Sequence, residues 1–209
     1  MRNDWKTYLL GAGALALGLV STSASAHCDK ITGGGWIVTQ GYPLFAPGIH
    51  EPAKGTFGAA GGCKHEGLWG HLEYHDHGND LNVHWLTITG YGVFPGSTDQ
   101  GAENDPKRTG RRLTCGTART NLYGDVDFAM DMWDKGEPGV DDVFRLRLTK
   151  PGVGVVYSTE CDADHTLGGT GPGGGNLQLH KSNPSTTFPP LDAFSCPALA
   201  FTPPCANGP

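Results

Sequence analysis

The 209-residue chain has no CxxC pair, so neither a thiolate zinc site nor a thioredoxin-like redox site has support. It also has no GxSxG elbow, HExxH helix, P-loop or dinucleotide glycine fingerprint, which leaves no catalytic residue to name. Positive charge is scarce: 15 Lys and Arg stand against 21 Asp and Glu, for a formal charge of −6. That balance speaks against a nucleic-acid footprint and against adhesion to anionic lipid. No sustained helical periodicity and no internal repeat occur. Apolar runs are short as well, and the longest, from about Tyr8 to Val20, falls below the ~20 residues of a spanning helix.

What is present begins with that run. Arg2 and Lys6 precede it and Ala24-Ser25-Ala26 follows it, the layout of a secretory signal peptide over residues 1–26. The expectation is a secreted or periplasmic protein without membrane insertion, facing an extracellular or cell-surface partner that the sequence does not identify. Six cysteines follow the cleavage pattern, Cys28, Cys63, Cys115, Cys161, Cys196 and Cys205, and an even count in an exported chain reads as disulfides. Closeness favours a Cys196–Cys205 bridge, with Pro197, Pro203 and Pro204 turning the short loop.

Thirty-three Gly and 15 Pro are scattered between short apolar runs, the pattern of an all-β protein rich in turns. The clearest strand is Asp125 to Trp133, where Val126, Phe128, Met130 and Met132 alternate with Asp125, Asp127, Ala129 and Asp131. Others are read at 31–39, 54–60, 68–76, 83–91, 113–122, 143–149, 153–158 and 176–180. Eight or nine short strands predict a single β-sandwich or jelly-roll-like domain over 27–181, followed by a Pro-rich C-terminal tail over 182–209 laid on the domain and stapled there. Residues 94–107 read as a polar loop, and Arg108, Arg111 and Arg112 as a short solvated cluster. The GGTGPGGG run at 168–175 reads as a crossing where backbones approach closely.

Several phrases in order, ITGGGWI (31–37), KGTFGAAG (54–61), GHLEYHDH (70–77), NVHWLTIT (82–89), WDKGEPGVDDVFRLRL (133–148) and GGGNLQLHK (173–181), carry a resemblance. The chain resembles the uncharacterised post-COAP-type β-sandwich domains of bacterial secreted proteins. The resemblance implies the fold and implies that the histidine phrase belongs to the scaffold; it supplies no activity. The segment around Cys161, the cysteines and the tail stand outside the shared pattern.

GHLEYHDH places His71, Glu73, His75 and His77 on one face of an extended strand. His75 and His77 emerge ~6.6 Å apart and could share one zinc ion, with Glu73 as a candidate third ligand, whereas His71 lies ~13 Å from His75. The simpler reading is a solvated sheet face, because two histidines do not complete the four ligands zinc prefers. A three-residue turn at 78–80 would pair His77 with Leu81, His75 with Val83 and Tyr74 with His84, turning His84 and Leu86 toward the core. A second candidate site is the carboxylate-rich turn with Asp134, Glu137 and Asp141, whose hard oxygens suit calcium. A third is His27, which cleavage after Ala26 would leave at the N-terminus as half of a copper-binding histidine brace. The sequence therefore favours a disulfide-stabilised, non-enzymatic binding or structural module with calcium or zinc as candidate ions. The alternative is a copper-dependent oxidase or polysaccharide monooxygenase using His27.

Overall fold

A computed structural model describes residues 28–39, 53–159, 166–169, 173–183 and 196. The predicted signal peptide, His27, Cys161, Cys205 and most of the Pro-rich tail lie outside these residues. All nine expected strands form: β1 (Lys30–Thr39), β2 (Ala53–Lys64), β3 (Gly67–Asp76), β4 (Leu81–Val93), β5 (Gly110–Thr120), β6 (Gly124–Asp134), β7 (Val143–Lys150), β8 (Gly154–Ser158) and β9 (Gly175–His180). Among the described residues there is no helix, and so none long and apolar enough to cross a membrane.

Strand by strand, the period of two decides which side chains are buried. On β6, Val126, Phe128, Met130 and Met132 are buried toward the core, as their alternation predicts. On β3 it is Leu72, Tyr74 and Asp76 that point inward, which leaves His71, Glu73 and His75 on the outer face. The pairing is antiparallel throughout, in the order β8-β7-β6-β5-β4-β3-β2-β1-β9. A sandwich would divide these strands between two sheets, whereas backbone pairing here is continuous through all nine.

The sheet folds over on itself, and its middle is narrowly joined. Only four residue pairs, Glu73↔His84 to Asp76↔Leu81, connect β3 to β4. The two halves face each other across the core, with Phe57 of β2 stacked on Phe144 of β7 at 3.8 Å between ring centres. The Tyr74 hydroxyl on β3 meets that of Tyr157 on β8 at 2.5 Å, and Tyr157 donates to Asp76 Oδ2 at 2.9 Å. Two buried carboxylates link the β6–β7 connection to the outer edge of β9. Asp134 accepts the backbone N–H of Leu179 and Asp142 that of Leu177, both at 2.7 Å. These side chains occupy donors that an edge strand otherwise leaves open.

The glycine-rich crossing behaves as expected. Trp36 donates its N–H to Gly174 O at 2.7 Å and Gly168 donates to Trp36 O at 2.8 Å, so three backbone stretches meet. A Cβ on Gly174 would lie 1.7 Å from Gly168 N, a contact no side chain allows.

Three expectations change. Cys196 pairs with Cys115 of β5, 81 residues away, and not with Cys205; the staple joins the tail to the sheet's outer face, where Cys196 packs with Leu113, Cys115 and Ala129. Cys28 pairs with Cys63 at the end of β2.

The arginine cluster is also not a solvated one. Arg112 is fully buried, because it falls on the inward parity of β5 beside Thr114 and Ala118. Its Nε donates to Asp29 Oδ1 at 3.1 Å and its Nη1 to Asp99 Oδ1 at 2.7 Å. Tyr91 donates to Asp29 Oδ1 at 2.6 Å, and Arg108 pairs with both aspartates. Desolvation alone would lower the Arg112 pKa, but hydrogen bonds to Asp99 and Asp29 outweigh it and raise it. The polar loop after β4 is thereby anchored from within, through Asp99 and Arg108.

The β3–β4 register is the third change. The connection has four residues, 77–80, so Tyr74 faces Val83 and Glu73 faces His84. Asp76 Oδ1 accepts the Gly78 N–H at 2.8 Å and Asn79 Oδ1 the Leu81 N–H at 2.9 Å, while Asp80 takes φ 58°. These two Asx turns set the loop length, and Asp tolerates the left-handed conformation better than most residues. The shift by one residue turns His84 and Leu86 outward and leaves Leu81 and Val83 in the core.

Candidate functional site

The outer face of β2 to β5 carries an open groove of about 620 Å³. Cross-strand pairing lines it with two rows of side chains. Gly58, Glu73, His84 and Arg119 face one another across successive strands, and so do Thr56, His75 and Asn82. Each lies on the parity opposite the core, which is why polar types are tolerated there.

These groups are paired to one another. His84 Nδ1 is hydrogen-bonded to Glu73 Oε1, and since a carboxylate only accepts, the ring donates from that nitrogen. Arg119 donates through Nε to Asp125 Oδ1 at 2.8 Å and through Nη2 to Oδ2 at 3.3 Å. These bonds raise the Arg119 pKa and lower that of Asp125. Asn121 ties the β3–β4 loop to β5: its Oδ1 accepts the Asn82 N–H at 2.8 Å and its Nδ2 donates to Asp80 O at 2.7 Å. The groups remain exposed, with 64% of the His84 side chain and 55% of Glu73 open to solvent.

The structure brings some of the candidate ligands together. The His75 and His77 rings lie 4.1 Å apart between centres. Their nitrogens turn to other partners, His75 Nε2 to Asp80 Oδ1 and His77 Nε2 to Thr56 Oγ1, each at 3.2 Å. Glu73 faces His84 instead of joining them. Among the described residues no group of three or more His, Cys, Asp or Glu side chains converges as metal ligands would.

The carboxylate turn is occupied with closing the sheet. Asp134 also accepts the Gly136 N–H and Asp142 that of Lys135, both at 2.8 Å, and Glu137 Oε1 accepts Asn176 Nδ2 at 3.1 Å. Asp141 is exposed and stands apart. Burial raises the Asp142 pKa to about 6, against its two backbone hydrogen bonds, with Asp134 and Glu137 adding to the rise. Desolvation raises Asp134 as well.

Sequence reasoning missed His84, Arg119, Asn82, Asn121 and Gly58. The available signal was the turn itself: Asp76-His77-Gly78 and Asn79-Asp80-Leu81 each carry an Asx side chain two residues before the N–H it accepts. No known protein family, curated protein or solved structure matches the chain.

Proposed function

We propose that the protein is a non-enzymatic binding module of an oxidising, extracytoplasmic compartment, and that the β2–β5 groove is its binding surface. The observation that carries this reading is the groove: hydrogen-bonding side chains from separate strands, held in fixed register and still exposed. Its size falls within the ~300–1,000 Å³ range of ligand sites. The two disulfides and the N-terminal targeting pattern support export, since such bonds persist outside the reducing cytosol.

A thermal-melt panel tests the reading. The full chain and its Gly58→Leu variant are melted with soluble neutral polysaccharides, alginate and extracellular peptides. A ligand that binds only the folded state raises the midpoint. A shift that Gly58→Leu abolishes is the expected result; a panel that shifts neither protein, or both equally, contradicts it.

A further inference from the structure

We infer that the groove's ligand is an uncharged saccharide chain; this rests on the proposed function and names its ligand class. The groove has no dominant charge. Its lining includes one carboxylate, Glu73, and one guanidinium, Arg119, and each is paired, to His84 and to Asp125. A site for phosphate, a nucleic acid or an acidic polymer is marked by a surplus of cations, and here the charges cancel.

What the lining offers is a mixed array of donors and acceptors. Glu73 uses one oxygen on His84 and keeps acceptor capacity on the other. Arg119 engages Asp125 through Nε and Nη2, which leaves Nη1–H groups as donors. Asn82 donates through Nδ2 to Asp80 O at 3.3 Å and keeps its Oδ1 as acceptor. A hydroxyl both donates and accepts, so a ligand rich in hydroxyls meets each of these without bringing a charge.

Shape agrees with the chemistry. Gly58 faces Glu73 and stands two residues from Thr56 on β2, and a Cβ added there would meet nothing within 4 Å, so the glycine leaves that part of the groove open. Beside Thr56 on β1 stands Trp36, on the same outward face, with Lys54 Nζ 4.5 Å from its ring centre. Trp36 stands beside the groove and not among its lining residues, and an indole in that place can meet the C–H face of a ring that extends past the groove while the groove's side chains bond its hydroxyls. The groove is open to solvent, so a ligand longer than the groove can extend beyond it.

Affinity electrophoresis of the full chain tests this, in native gels cast with dextran, a soluble β-1,3-glucan, xyloglucan, galactomannan or alginate. The expected result is retardation by at least one neutral polysaccharide, weakened about tenfold or more in Gly58→Leu and in Arg119→Ala. Gly58→Leu fills open space on an outward position, and an unchanged melting curve verifies its fold. No retardation by any neutral polymer, or retardation that both variants retain, overturns the inference. Groove-dependent binding of alginate or of a peptide alone also overturns it while leaving the binding-module reading intact. Absence of any groove-dependent ligand overturns both.

Discussion

Two of the three arginines on strand β5, Arg112 and Arg119, stand seven residues apart in opposite circumstances. Arg112 points inward, fully buried, and holds Asp29 and Asp99 beside Tyr91 and Arg108. Arg119 points outward at the far end of the strand, 66% exposed, and holds Asp125, which is equally open. Residue type and partner type are the same in both places. What differs is water: at Arg112 removal of either partner strands a charge in a desolvated interior, whereas at Arg119 solvent replaces whatever is lost. The buried set joins the start of β1, the loop after β4 and β5 into one unit. The exposed set keeps its remaining donors and acceptors open to solvent.

The largest effect expected from disturbing this contrast comes from Asp29→Ala, which leaves Arg112 and Arg108 short of a carboxylate in the interior. Urea unfolding should show a loss of about 3–5 kcal/mol, and a loss below 1 kcal/mol would mean that water already reaches this cluster. Next comes the staple between Cys115 and Cys196. Replacing both by Ser should cost about 2–4 kcal/mol, read from the unfolding midpoint, since it frees a long loop in the unfolded chain.

A smaller, pH-dependent effect belongs to Asp142. Its pKa is about 6 in the folded protein against ~3.9 in an unfolded chain. The folded state therefore binds the proton more tightly, so this contribution to stability is fully present below about pH 4 and is lost as pH rises through about 6. Melting midpoints should fall between about pH 4 and pH 6 and level off above, and Asp142→Asn should flatten that part of the curve. An unaltered slope in the variant would assign the dependence to other groups. The smallest effect is at the groove: Glu73→Gln should change stability by no more than ~0.5 kcal/mol while weakening ligand binding. A larger loss of stability would make the Glu73–His84 pair part of the scaffold.

The strands were legible in the sequence because their information is local. Val126, Phe128, Met130 and Met132 mark the inner face of β6 by alternation alone, and the other eight strands were read as short apolar runs between Gly- and Pro-rich turns. Sidedness on β5 was not legible. Leu113 and Cys115 are the larger apolar residues there, and local pattern would turn them inward; they lie on the outer face, buried under Cys196 and Phe94 from distant parts of the chain. The same alternation puts Arg112 in the core, a position made tolerable by Asp29, 83 residues away, together with Asp99.

For the candidate site, the outward row of His71, Glu73 and His75 was read correctly from one strand. Its neighbours were not, because they depend on the β3–β4 register, and that register turned on two Asx side chains, Asp76 at the end of β3 and Asn79 in the four-residue loop. The pairing of Cys196 failed for a related reason. Closeness in sequence favoured Cys205, while folding brought Cys115 to it from the middle of β5.

The most direct test of the account is one substitution made at both arginines. Arg112→Met and Arg119→Met remove the same charge and keep a similar stem, and equilibrium urea unfolding compares them under identical conditions. Arg112→Met should lose about 3–5 kcal/mol and Arg119→Met less than ~1 kcal/mol. Equal losses at the two positions would contradict the division of β5 into a buried lock and a solvent-exposed outer end.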